Sequence, residues 1–311
     1  MVKPPDNFFG FLPSLEVLPL FGKGVCQSGS QGGLPFRAKA FSSYGGIARS
    51  LLTKDSIGGI LPWEIFVSEV LSLPGQRNQW QVPMFVSACP TELVLREQVH
   101  RSLYSARGAK FAKVPRCLTL GVESQSSLTK HQFGEWLAYW PQAASVKVSF
   151  RTLPMELMIH ALKSEMIDAI IAPSPWGMRI EEDGIGKRDT RFMTGRYTQR
   201  LALAFQREFA EQNLEAVEML PTAVASARRS LRYPSDFADA VSAMSRSGSP
   251  GIAKDLLVRA AGLHGFSAVD DDVVTDAGSL AYELTRLRKF ELLPLHVSPG
   301  AQTARLLLDC R

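Results

Sequence analysis

No unbroken apolar run in this 311-residue chain approaches the ~18 residues that a membrane-spanning helix needs. The opening stretch, MVKPPDNFFGFLPSLEVLPLFGKG, sets a lysine before two prolines and lacks the continuous apolar core of a secretory leader. As it stands, the chain is expected to stay soluble in the cytoplasm. With a leader upstream, the expectation becomes periplasmic or extracellular. Cysteine is scarce: Cys26, Cys89, Cys117 and Cys310 form no CxxC pair, and no histidine stands near them at metal-ligand spacing. Reduced core thiols and no metal are therefore expected. Histidine is equally thin. His100, His131, His160, His264 and His296 are isolated in sequence, and none has a nameable partner for proton transfer. A GxSxG elbow, a GxxxxGK[ST] loop, an HExxH pair and a GxGxxG after a strand are all missing. These absences exclude the common hydrolase, phosphate-loop, zinc-protease and dinucleotide patterns, so neither a catalytic residue nor a cofactor is expected.

Charge of one sign is also in short supply. Thirty-five Lys and Arg against thirty Asp and Glu leave a net +5, and the densest cluster is only Arg228, Arg229 and Arg232. A nucleic-acid binder would show a basic stripe interleaved with aromatics, so no direct nucleic-acid partner is expected. What is present is an ordinary globular composition, 45% hydrophobic and 21% charged. The length suits two domains of roughly 100–200 residues each.

Short apolar runs alternate with helical spacing through the first two thirds. Residues 7–13, 35–41, 56–62, 82–88, 116–122, 145–150, 167–173 and 200–205 read as strands. Between them, 44–55, 131–140, 154–165 and 214–231 carry apolar residues at helical spacing. Beyond about residue 230 the pattern is helical only. Strands joined by helices predict α/β architecture, with mostly parallel sheets covered on both faces.

An internal echo runs through this pattern. LTKDSIGGILPW (52–63) resembles LKSEMIDAIIAPSPW (162–176), each strand ending in proline and then Trp63 or Trp176. The echo fits two lobes of like topology. In open α/β sheets ligands sit beyond the carboxyl ends of strands, so the two tryptophans are expected either on opposite walls of one cleft or as packed aromatics. Polar residues gather after other strand ends: Ser14 and Glu16; Ser42, Ser43 and Tyr44; and Ser124, Ser126, Ser127 and Thr129 before a helix. A helix N-terminus with adjacent hydroxyls attracts anions. The alternative is that one hydroxyl merely caps the helix.

These residues resemble the solute-binding proteins of nitrate, bicarbonate, sulfonate and taurine importers over roughly residues 8–230. GFLPSLEVLPL is similar to that family's opening strand and loop, with Glu16 where aspartate is common and Pro19 at a recurrent proline. FSSYGGIARSLLTKDSIGGILPW resembles its second strand, helix and third strand, with Tyr44 where the nitrate branch often has tryptophan. SFRTLPMELMIHALKSEMIDAIIAPSPWG resembles a strand, a Pro-started helix, the IDA strand and a turn of the form Glu-Pro-Trp, in which this chain has Ser174 for the glutamate. The nitrate branch's histidine position falls at Thr129, with His131 two residues on.

The resemblance implies a two-lobed, type II periplasmic-binding-protein-like fold with a ligand cleft between lobes. By analogy, lobe 1 spans 1–103 plus 200–311, lobe 2 spans 113–195, and the hinge crossings lie near 104–112 and 196–199. It implies non-enzymatic binding of a small anionic solute, with an ABC permease or a regulatory protein as partner. A cytosolic nitrate or nitrite sensor, and an enzyme on the same fold resembling pyrimidine-precursor or menaquinone-pathway proteins, stand as alternatives. The implied ligand-binding residues are Ser14, Glu16, Ser43, Tyr44, Trp63, Ser126, Ser127, Thr129, Ser174 and Trp176. No lysine or arginine stands in the matched loops, so neutral donors are expected to do much of the anion binding. Trp176→Ala is expected to weaken binding with little loss of fold.

Overall fold

All eight runs read as strands form strands, buried throughout at Gly58–Pro62 and Ala169–Pro173 and more exposed at the sheet-edge strands Arg37–Ala40 and Lys147–Thr152. A computed structural model describes residues 8–23, 25, 36–87, 91–105, 115–125, 127–140, 145–189, 192, 200–247, 252–264, 277–289 and 307. The chain divides into two units, Met1–Ala88 with Gln199–Arg311, and Cys89–Thr198.

In the first unit, β1 (Phe8–Phe11), β2 (Arg37–Ala40), β3 (Gly58–Pro62), β4 (Trp80–Ser87) and β10 (Arg200–Gln206) form one sheet in the order β2-β1-β3-β10-β4. Helix α1 (Tyr44–Leu52) connects β2 to β3. After β3 comes α2 (Trp63–Ile65), continued by a π-helical turn at Phe66–Leu71. In the second unit, β5 (Thr91–Leu95), β6 (Cys117–Val122), β7 (Lys147–Thr152), β8 (Ala169–Pro173) and β9 (Lys187–Arg188) form a sheet in the order β7-β6-β8-β5-β9. Its helices are α3 (Glu97–Ser105), α4 (Thr129–Ala138), α5 (Met155–Lys163) and α6 (Trp176–Glu182). The first unit ends in α7 (Arg207–Gln212), α8 (Leu214–Ser230), α9 (Pro234–Arg246), α10 (Lys254–His264) and α11 (Ala277–Lys289). Helices α8, α9 and α10 pack on the 3-10 turn Leu15–Phe21.

The two sheets share one topology. In each, three strands run parallel and the fourth, β10 or β5, runs antiparallel to both neighbours. The sheets are thus mixed rather than mostly parallel. The reason is connectivity: β10 and β5 follow a crossing from the other unit, so no right-handed βαβ crossover dictates their direction. The first crossing, expected at 104–112, falls instead between Ala88 and Cys89. Strand β5 sets it there by pairing with β8 from Thr91↔Pro173 to Leu95↔Ala169.

The internal echo is a structural repeat. Lys54 and Glu165 both take φ of 60° just ahead of β3 and β8. Gly10↔Gly59 in one sheet corresponds to Gly121↔Ile170 in the other. The IDA aspartate has a structural task here. Asp168 accepts from the Thr119 amide at 2.9 Å and from Arg96 Nη2 at 2.9 Å, fastening β8 to β6 and to the end of β5. One core of the second unit gathers Leu93, Leu95, Leu118, Leu120, Phe133, Trp136 and Ile171. Each such side chain contributes about 1.5–3 kcal/mol on burial.

Candidate functional site

Because β1, β2 and β3 are parallel, their carboxyl ends lie along one edge of the first sheet, the position at which such sheets take ligands. Ser14 follows β1 and is buried, with Oγ donating to the Leu12 carbonyl at 3.4 Å. The Glu16 side chain lies outside the described residues. Ser43 follows β2 and caps α1, its Oγ accepting from the Gly46 amide at 3.0 Å. Tyr44 is buried as the first residue of that helix. Trp63 follows β3 directly and is 1% exposed, packed edge-on to Phe85 and stacked with Phe66. Its indole Nε1 is buried and has no hydrogen-bond partner among the described residues.

The second sheet repeats the arrangement at the ends of β6, β7 and β8. Ser124, Ser127 and Thr129 are buried between β6 and α4, whereas Ser126 lies outside the described residues. Ser127 Oγ accepts from both the Thr129 amide at 3.3 Å and the Thr129 hydroxyl at 2.9 Å. Capping therefore describes Ser43 directly, whereas the N-cap position of α4 is Leu128, without a side-chain cap, and Ser127 serves the Thr129 amide from one residue earlier. Ser174 and Pro175, joined by a cis peptide bond, are the two extra residues before the second tryptophan. Ser174 is 0% exposed, and its Oγ has no hydrogen-bond partner among the described residues. Trp176 is 0% exposed and opens α6, with the Arg179 guanidinium 5.6 Å from its ring centre. Burial of this degree revises the expected effect of Trp176→Ala, because removing so large a side chain costs stability wherever the ligand sits.

Ser174 gives a cleaner probe. A buried hydroxyl without a partner costs about 1–3 kcal/mol, so deleting it relieves a penalty. Ser174→Ala is expected to leave the ligand-free thermal midpoint unchanged or higher, and to reduce the stabilisation an added anion gives. Paired melts with and without anion check both halves; a lowered ligand-free midpoint would assign the hydroxyl to packing.

Two features were not evident from the sequence. Lys130 stands in the first turn of α4, and its Nζ donates to the Gln125 carbonyl at 2.5 Å and to Gln125 Oε1 at 2.6 Å. Gln125 Nε2 in turn donates to Thr152 Oγ1 at 2.6 Å, joining the ends of β6 and β7. A lysine in a helix's first turn opposes the macrodipole, and that was the readable signal. Burial without a counter-charge holds the Lys130 ammonium below its ordinary pKa. The second feature is Glu92 on β5, 3% exposed, which accepts from the Met178 amide at 3.3 Å and from Arg188 Nη1 at 3.1 Å. Gly177 leaves the room for it: a Cβ there would meet Glu92 Oε2 at 2.6 Å. Burial works to lower the Arg188 pKa, but hydrogen bonds and charge from Glu181 and Glu92 outweigh it and raise it.

In each unit the carboxyl ends of three parallel strands carry buried hydroxyls, and Trp63 Nε1 in the first unit and Ser174 Oγ in the second are buried donors without a partner among the described residues. No helix among the described residues is long and apolar enough to cross a membrane. Several solved structures share the fold. The periplasmic nitrate-binding protein NrtA from Synechocystis PCC 6803 matches with a TM-score of 0.69 at 14% identity, over 97% of this chain and 86% of its own. A ligand-binding component of an ABC-type import system from Staphylococcus aureus, with zinc bound, gives 0.65 at 13% identity, over 93% and 92%. The alkanesulfonate-binding protein SsuA from Xanthomonas axonopodis pv. citri, bound to MOPS, gives 0.64 at 12% identity, over 98% and 99%. No curated protein matches the sequence. The profile of the NMT1-like family matches residues 3–245, and the chain belongs to that family.

Proposed function

We propose that this protein is a non-enzymatic receptor for a small anionic solute, serving an ABC-type importer. The observation that carries the reading is the pair of buried polar atoms, Trp63 Nε1 and Ser174 Oγ, left without partners after the equivalent strands β3 and β8. Each can donate within its own unit, and an oxyanion is an acceptor of the kind each lacks. The names of the solved relatives point the same way, toward nitrate and sulfonate. Ser14, Ser43, Tyr44 and Trp63 on the first unit, and Ser127, Thr129, Ser174 and Trp176 on the second, are the ligand-binding residues of this reading. Glu16 and Ser126 belong to the same set. A permease is the implied partner, and a receptor of this kind works on the outer side of the membrane.

A thermal-shift screen with nitrate, nitrite, bicarbonate, taurine and alkanesulfonates tests the proposal. A ligand at about 100 times its Kd adds about 2.7 kcal/mol of apparent stability. At least one of these solutes is expected to raise the midpoint, and a flat response to all of them rejects anion binding.

A further inference from the structure

We infer that Lys130 supplies the positive charge of the anion site on the second unit and selects charged over neutral solutes. The inference rests on the anion-receptor reading and adds to it the residue that reads charge. Lys130 is half-buried at the edge formed by the ends of β6 and β7, one residue beyond Thr129. Its ammonium is held by two neutral oxygens of Gln125, with the Phe150 ring 5.1 Å away. Among the described residues no carboxylate lies within 4.0 Å of it. Glu123 stands in the same loop but is engaged elsewhere.

This placement is electrostatically unfavourable in the absence of an anion. The positive end of the α4 dipole and the lysine carry the same sign, and burial removes some of the water that would screen them. An anion at this edge reverses every one of these terms at once. It would take its hydrogen bond from the Lys130 ammonium, because the Thr129, Lys130 and His131 amides already donate to Ser127 Oγ and to the Ser127 and Leu128 carbonyls. The partnerless Ser174 Oγ is a second, independent pointer to such a ligand. Ser174 directly follows β8, the neighbour of β6 in the sheet, at the same end. Gln125 serves as the resting partner: its carbonyl and side-chain oxygen hold the ammonium until a stronger acceptor arrives.

The experiment is calorimetric titration of nitrate, bicarbonate and methanesulfonate into the full chain, as wild type, Lys130→Gln and Lys130→Arg, at two ionic strengths. Melting curves confirm that the variants fold. For whichever anion the wild type binds, Lys130→Gln is expected to weaken affinity about 10- to 100-fold, the range for a hydrogen bond to a charged group. Lys130→Arg is expected to retain most of the affinity. The wild type's dependence on ionic strength is expected to flatten in Lys130→Gln, a change that a merely structural role would not produce. A wild type that binds while Lys130→Gln binds equally well overturns this assignment alone. A wild type that binds none of the three anions overturns both the assignment and the receptor reading for them.

Discussion

Trp176→Ala is expected to lower the stability of the protein by about 3–5 kcal/mol, the range for truncating a buried tryptophan to alanine. The ring is fully buried at the first position of α6, a seven-residue helix that packs on β5, β8 and β9. A helix that short has almost no stability of its own and holds its place through packing. Removing the ring therefore costs the transfer energy of a large aromatic and opens a cavity beneath the turn that Ser174 and Pro175 form. Urea unfolding of the ligand-free protein is the direct measurement, with Trp176→Phe as a milder companion that keeps an aromatic face. The expected order is wild type, then Trp176→Phe, then Trp176→Ala. If Trp176→Ala loses under about 1 kcal/mol while anion binding collapses, the ring is a ligand wall and not a packing anchor.

The contrast between what the sequence shows and what it hides follows from range. Strands such as Gly58–Pro62 and Ala169–Pro173 bury every residue, so their apolar runs are legible locally. The repeat was legible for the same reason, since the αβ turn at Lys54 and at Glu165 precedes a buried strand in both units. Strand β5 was not legible. Glu92 interrupts its apolar pattern, and the group that makes a carboxylate tolerable there is Arg188, 96 residues later. Missing β5 displaced the first crossing from 88/89 to 104–112. Two-residue β9 has no pattern to read at all.

The candidate site was legible in kind but not in detail. Hydroxyls after strand ends were visible as a clustering of Ser and Thr. Whether a given hydroxyl is spent on capping, as at Ser43, or left without a partner, as at Ser174, depends on backbone geometry that no window of sequence contains. Neutral donors were expected to do much of the anion binding in the matched loops. Lys130 reaches one of those loops in space, because its side chain turns back from the helix to Gln125.

Arg188→Ala is expected to be as costly as the tryptophan change, about 3–5 kcal/mol, for a different reason. Arg188 serves two carboxylates: Nη1 donates to Glu92 Oε1 at 3.1 Å and Nε to Glu181 Oε2 at 2.9 Å. Glu181 is partly exposed and can turn to water, but Glu92 is not. Loss of the guanidinium removes a full counter-charge from a carboxylate that is 3% exposed, and a buried charge that loses its opposite is the expensive outcome. Glu92→Ala is expected to cost less, about 2–3 kcal/mol, since Arg188 keeps Glu181. The decisive comparison is a cycle that includes Glu92→Leu with Arg188→Met. Replacing a buried ion pair by apolar residues of similar size is close to neutral, so the double variant is expected to recover most of the stability that Arg188→Ala loses. Equal losses in the single and double variants would mean that Arg188 acts through its contacts to Glu181 and its strand pairing alone. The pair ties β5, the first strand of the second unit, to β9, its last, so its loss should also raise amide exchange along β9 before it does so in β6.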